Sequence, residues 1–398
     1  MRFAAFLIAS AFCQGLFADD WPQWRGPNYD GRSKEELPQQ LPDELPVNWK
    51  INIGKGFSTV SVQGDHVVTM GNDNDVDTIW CISAESGDVI WKHSYDSLLD
   101  PLYFAGGPCS TPTIHDGKVF TLSRRGHVFC LDLKTGEVIW ERNLLKEHGL
   151  FRPEWSFSSS VVIRGDLAIY NVASDGAALD WKTGKTVWIS GESAGGYASA
   201  VPWDLSRDDS DMLLFTFAEM VNLAHKDGEV RWRIEWETGR GVNAADPIID
   251  GSQFLVSSTI GTALFESSDP SASPKEIWRE KRIRCYFNPG VLIDGYVYTL
   301  NGTTHNPTEL VCIDWKTGET KWSEPGFKTG GLMAAGNNLV LFDKGQLTIF
   351  PASPDGFEPI LQQQLLGGVC WTMPVLANGK IYCRNNDRGE LVCVSVVE

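Results

Sequence analysis

Two stretches of this 398-residue chain place reactive residue types at spacings used in catalysis or metal binding. Gly191-Glu192-Ser193-Ala194-Gly195 fits G-x-S-x-G, which makes a nucleophile only where a strand turns sharply into a helix beside a histidine. No helical pattern follows it, so it reads as a glycine-rich connection and a hydrolase is not supported. Asp73-Asn74-Asp75-Val76-Asp77 alternates acids as calcium loops do, but the glycine such a loop needs next is replaced by Thr78 and Ile79, the start of a strand. It reads as a solvated hairpin tip. The histidines at 66, 93, 115, 127, 148, 225 and 305 include no metal-ligand spacing, and His115, beside the turn Asp116-Gly117, reads as exposed. Asn301-Gly302-Thr303 is a glycosylation sequon, relevant only in a host that glycosylates. No catalytic residue and no metal site is assigned from these stretches.

The elements that must position any site come from a repeat. Cys130-Leu131-Asp132-Leu133-Lys134-Thr135-Gly136-Glu137-Val138-Ile139-Trp140 is its cleanest copy, and Cys312 to Trp322 matches it closely. Further copies close at Trp91, Trp188, Trp232 and Trp278, and a seventh, Asp355-Gly356, has Ile360 where the tryptophan belongs. The closing positions lie 38 to 49 residues apart, a period that marks a repeat architecture. Each period holds four short strands. In one copy these are Ser110 to Ile114, Lys118 to Ser123, His127 to Leu133 and Glu137 to Arg142, separated by Asp-Gly, Arg-Gly and Lys-Thr-Gly turns. Four-stranded sheets set radially form a β-propeller, with each tryptophan wedged against the next blade.

Closure sets the count. The chain stops after Glu390 to Val394, a third strand with no fourth, while Pro46 to Ile51 is an orphan outer strand carrying Trp49 in the repeat position. The expectation is an all-β, eight-bladed propeller sealed by the N-terminal strand, with seven blades as the alternative. Trp49, Trp91, Trp140, Trp188, Trp232, Trp278 and Trp322 are its blade-docking residues. Residues 1–18, one positive charge and a short apolar run ending near Ala18, read as a cleavable signal peptide too short to span a membrane. Residues 19–46 read as a strap and proline-rich lead-in, and 47–398 as one propeller domain. The mature chain is expected to be exported, periplasmic or extracellular, and monomeric. Its net charge of −17 disfavours nucleic acid and anionic membrane surfaces. Cys81, Cys130, Cys312 and Cys393 recur at one point of different blades, too far apart to pair, and read with Cys109, Cys285, Cys370 and Cys383 as reduced thiols. A pair within the last blade is the main exception to that reading.

The Asp-x-x-Thr-Gly-x-x-x-Trp copies resemble the docking repeat of quinoprotein alcohol dehydrogenases and the PQQ-like repeat proteins. Trp21-Pro22-Gln23-Trp24-Arg25-Gly26-Pro27-Asn28, Gly195 to Pro202, Asn243 to Pro247 and Trp371 to Val375 are similar to the same group. The resemblance spans the mature chain and implies the fold. Its functions divide: the group includes quinone-dependent dehydrogenases and non-catalytic proteins such as the outer-membrane assembly factor BamB, and a shared fold does not fix the chemistry. In the dehydrogenases the quinone lies under a disulfide between adjacent cysteines, beside a calcium held by carboxylate and amide groups and a catalytic Asp. No two cysteines are adjacent here. The blades are short, without the long insertions that roof the quinone.

One constellation remains. Glu154, Trp155, Tyr197, Arg240, Asn243, Arg284, Tyr286, Lys328 and Trp371 lie just ahead of predicted innermost strands, at one mouth of the channel. Aromatic platforms with two arginines and a lysine suit an anionic or sugar-like ligand, or they pack the mouth and neutralise nearby acids. The leading expectation is a non-catalytic exported propeller that binds a partner protein or a small envelope ligand through this face, without a cofactor. The alternatives are a quinone (PQQ) and calcium-dependent alcohol or sugar dehydrogenase, and a carbohydrate-binding module.

Overall fold

A computed structural model describes residues 19–102, 104–304 and 306–396; the signal-peptide reading of 1–18 and His305 lie outside the described residues. Eight sheets follow one another along the chain, each with four antiparallel strands, and together they make an eight-bladed propeller; the sheet of blade 7 also carries Arg32–Ser33 as a fifth, parallel strand. Blade 1 is Ser61–Gln63, His66–Asp73, Val76–Ser83 and Val89–Asp96, and blade 2 is Thr113–His115, Lys118–Leu122, His127–Asp132 and Val138–Asn143. Innermost strands begin blades 3 to 7 at Val162, Val201, Ile248, Val291 and Gly331. Blade 8 takes Val375–Ala377, Lys380–Arg384 and Glu390–Ser395 from the C-terminus and its outer strand, Val47–Asn52, from the N-terminus. Trp49 stands opposite Cys393 in that closing pair. Among the described residues one short α-helix, Leu144–His148, joins blades 2 and 3, and a single 3-10 turn, Gly239–Gly241, lies between blades 4 and 5.

A single device docks seven of the eight blades. The indole Nε1–H of Trp49, Trp91, Trp140, Trp188, Trp232, Trp278 and Trp322 donates to a backbone carbonyl of the next blade, at Ala84, Leu133, Trp181, His225, Pro270, Trp315 and Ser353, over 2.7 to 3.0 Å. Each outer strand has a bulge beside its tryptophan, which re-aims the ring at the neighbouring blade. At five of the seven, Trp49, Trp91, Trp140, Trp188 and Trp278, the turn glycine of the next blade lies against that ring. At Gly136 (φ 73°) an added Cβ would fall 2.6 Å from the indole of Trp91, so the position needs both the left-handed backbone and the missing side chain. The aspartate of the same turn is held by amides: Asp132 Oδ1 accepts from Lys134 N and Thr135 N, both at 2.9 Å.

The seventh repeat departs from the expectation. Ile360 is 57 % exposed and docks nothing, and the outer strand of blade 7 is Leu361–Gln364. The lead-in covers this junction instead: Leu45 N donates to Gln363 Oε1 (2.8 Å) and Gln363 Nε2 donates to Leu45 O (3.0 Å). The acidic stretch at 73–77 also differs from a solvated tip. Asn74 and Asp75 form the turn, but Asp77 is fully buried, accepts from Asn72 Nδ2 (2.7 Å), and burial pushes its carboxyl up. All eight cysteines of residues 19–396 are free, and four of them face a docking tryptophan across the blade.

Candidate functional site

The residue two places ahead of each innermost strand builds the channel wall. In the first five blades these are Thr59, Thr111, Ser160, Ser199 and Asp246. Each backbone amide donates to the side chain of the next: Thr59 N to Thr111 Oγ1 (3.2 Å), Thr111 N to Ser160 Oγ (2.9 Å), Ser160 N to Ser199 Oγ (2.9 Å) and Ser199 N to Asp246 Oδ1 (2.7 Å). This belt ties five blades in order. It ends at blade 6, where the equivalent residue is Pro289, whose side chain has no oxygen to accept from Asp246 and which has no amide hydrogen to pass on.

The strap reaches the same place from the opposite end of the channel. Asp20 Oδ1 accepts from Gly64 N in a turn at that end, and Trp21 pairs with Val62 of blade 1. Pro22 O accepts from Ile114 N of blade 2, Arg25 Nη2 donates to Gly290 O of blade 6, and Tyr29 is buried with Val162 and Val201 of blades 3 and 4. The chain then returns, pairing Arg32 and Ser33 with Ala334 and Ala335 of blade 7 and donating Ser33 Oγ to Leu376 O of blade 8. With Trp24 on Asp246 of blade 5, residues 21–33 touch every blade and form the floor of the channel.

Above that floor lies a cavity of about 660 Å³, open at the mouth. Its walls are aromatic. Phe104, Phe57, Trp371 and Phe287 follow one another with ring centroids 5.1 Å apart, and Tyr286 continues the arc at 4.2 Å. Trp155 and Tyr197 form a second pair, edge to face at 6.0 Å. Trp24 Nε1 donates to Asp246 Oδ2 over 2.6 Å at the base. Asp246 is the only carboxylate among the described lining residues, and burial lifts its pKa to about 6 against the pull of Arg25.

Of the nine residues expected at the mouth, Trp155, Tyr197, Arg240, Tyr286 and Trp371 line this cavity. Glu154 stands outside it and pairs with Arg240 at 3.5 Å. Asn243 is buried, and its amide donates to Thr216 O, Phe217 O and Trp236 O, so it links backbone segments. Arg284 and Lys328 are exposed and do not line the cavity, which removes two of the three cations that favoured an anionic ligand. Trp24, Phe57, Phe104, Phe287 and Asp246 were missed. Aligning the repeats on the belt position would have found Asp246, the acid in a row of Ser and Thr; Trp24 has no such signal, because it is outside the repeat.

Ser193 of the G-x-S-x-G stretch is exposed in the connection between blades 3 and 4, with no helix after it. Among the described residues no group of three or more His, Cys, Asp or Glu side chains is placed to hold a metal ion, and no helix is long and apolar enough to cross a membrane.

Residues 77–324 match the family described as "Outer membrane protein assembly factor BamB", more than half of the chain. This chain belongs to the BamB family. The outer membrane protein assembly factor BamB of Moranella endobia is 27% identical over 319 residues, 71% of this chain and 76% of that protein. Among solved structures, BamB from Moraxella catarrhalis superposes with a TM-score of 0.66 at 17% identity, covering 88% of this chain and all of that one. Quinohemoprotein alcohol dehydrogenase from Comamonas testosteroni gives 0.68 at 15%, covering 95% and 80%, which is likeness of fold. A 1-butanol dehydrogenase (cytochrome c) of Thauera butanivorans is 27% identical over 160 residues, but those are only 22% of that enzyme.

Proposed function

We propose that this BamB-family propeller is an exported, non-catalytic binding protein that engages a partner protein of the cell envelope through the open mouth of its channel. The observation that carries the reading is the architecture of that channel. One end is closed by residues 21–33, and the other opens through a wall of aromatic rings onto loops from several blades. Large exposed or half-buried aromatic side chains around a concave surface are the usual anchors of protein recognition. Among the described lining residues no histidine stands beside a nucleophile, and the Ser and Thr hydroxyls at 111, 160 and 199 are held by the belt.

The quinone-dependent reading is favoured by the dehydrogenases of the same fold. The donor set of this cavity does not suit it. A quinone carrying several carboxylates needs cations and, with calcium, further carboxylates. Here Arg240 is the only cation among the described lining residues and has Glu154 beside it, and Asp246 is the only acid.

Photo-crosslinking from the two ends tests the proposal. A photoreactive residue at Tyr286, on the mouth, is expected to capture a discrete envelope protein in cells, and one at Gly251, on the far side of blade 5, is not. Equal capture from both positions, or from neither, overturns it. Stoichiometric uptake of quinone with calcium, followed by reduction of a dye on adding an alcohol or sugar, overturns it in favour of the dehydrogenase.

A further inference from the structure

The cavity has a chemistry of its own, and its polar groups are few. Ser158 Oγ donates to Tyr197 O, Asn288 Nδ2 donates to Gly330 O and Trp371 O, and the belt holds Ser160 and Ser199. What lines the space is an aromatic arc, a second aromatic pair, the carboxylate of Asp246 at the base, Thr259, Thr304 and Thr372, and Arg240, whose charge is paired with Glu154.

This set selects among ligand classes. A sugar needs many hydrogen-bonding groups, and most of those here are engaged. An anion meets the carboxylate of Asp246 at the base. A cation carried on an apolar body meets aromatic rings on two sides and a carboxylate beneath, within a molecule of net charge −17 that concentrates cations around it. We propose that this cavity binds an organic ammonium group, either a free alkylammonium or a lysine-type side chain of the partner, with its charge toward Asp246 and its apolar sheath between the walls. The proposal rests on the reading of the open mouth as the binding face.

The pH dependence follows from the groups that face the cavity. Arg25 lies beneath Asp246, and Arg240 with Glu154 stands at the rim. Cys109, Tyr197 and Tyr286 stay protonated because burial raises all three. Binding of an ammonium is therefore expected to weaken as pH falls from 7.5 to 5 and Asp246 takes up a proton.

Tryptophan fluorescence of the mature chain, titrated with choline and with its neutral carbon isostere 3,3-dimethylbutanol, tests this. The expected result is saturable quenching by choline at least about tenfold tighter than by the isostere. Trp371→Ala, with unchanged circular dichroism, is expected to weaken choline about tenfold, and Asp246→Asn to remove the pH dependence. If Asp246→Asn fails to fold, the isostere comparison and Trp371→Ala decide alone. Equal affinity for both probes, or preferential binding of a neutral sugar, overturns the proposal. Short peptides with trimethyllysine or with norleucine separate the two sources: tighter binding of the lysine peptide than of choline assigns a partner side chain, and the reverse assigns a free ammonium. Loss of choline binding alongside intact cross-linking from position 286 rejects this inference and leaves the partner-binding reading standing.

Discussion

At the residue scale, the seven docking tryptophans combine two terms. Each buries a large apolar ring and satisfies a carbonyl that the next blade shields from water. Trp91 is 8 % exposed and donates to Leu133 O over 2.7 Å. Trp91→Phe keeps most of the area and strands the carbonyl, so urea unfolding is expected to show a loss of about 1–3 kcal/mol. Trp91→Ala also opens a cavity and is expected to lose about 3–5 kcal/mol. Similar losses for the two variants would show that the hydrogen bond outweighs the ring. Asp246 gives a pH signature of opposite sign to an ordinary salt-bridged acid. Burial raises its native pKa to about 6 from 3.8, so the folded state holds the proton more tightly than the unfolded one. Its effect on stability is most favourable below pH 4 and is lost as pH rises through 6. Relative to Asp246→Asn, the wild type is expected to lose about 2–3 kcal/mol between pH 4 and 7. A wild-type-minus-variant difference that stays flat across that range would contradict the assignment.

At the element scale, the Asp-x-x-Thr-Gly turn prepares a surface for the tryptophan of the preceding blade. Gly136→Ala sets an L side chain at φ 73° and drives its Cβ into the Trp91 ring. The expected cost is at least about 2 kcal/mol in denaturant unfolding, against a few tenths for Gly117→Ala beyond its backbone strain, since Gly117 has open space around it. Comparable costs at the two positions would mean that backbone strain alone sets the value. Most of this element was legible in the sequence, because tryptophan, glycine and aspartate recur at one spacing and each has a local physical role. The seventh repeat was not. Its missing tryptophan is offset by Leu45 and Gln363, residues distant in sequence that no period connects.

At the scale of the whole molecule, the ring depends on its joint. Blade 8 is fastened to blade 1 by the N-terminal strand and by Arg384, which is buried and donates to Ser58 O (2.6 Å), Met70 O (2.9 Å) and Gly54 O (3.1 Å). No acid pairs with it in these contacts, and burial lowers its pKa to about 9. Arg384→Leu strands three carbonyls across the joint, and unfolding at a denaturant midpoint below that of the wild type, with a broadened transition, is the expected outcome. An unchanged midpoint would show that the strand alone seals the ring. The free thiols give a second check: eight equivalents of Ellman's reagent are expected to react with residues 19–398 in denaturant without reductant, and few in the native state. A value of six would reveal one disulfide.

The sequence by itself determined the fold, the blade count and the closing strand, because a propeller repeats its packing chemistry at a fixed interval and leaves a visible gap where a strand is borrowed. It also located five of the residues that line the cavity, since the segment before each innermost strand must reach the mouth. The tertiary structure decided the character of the site. Residues 21–33 turn back inside the channel and set Trp24 against Asp246, and Arg284 and Lys328 are exposed and stand outside the cavity lining. These outcomes depend on contacts between blades and strap, whose residues lie up to several blades apart in sequence. A local pattern holds no information on which way such side chains turn, and that turn is what replaces the anionic or sugar-like ligand of the sequence reading with the ammonium proposed above.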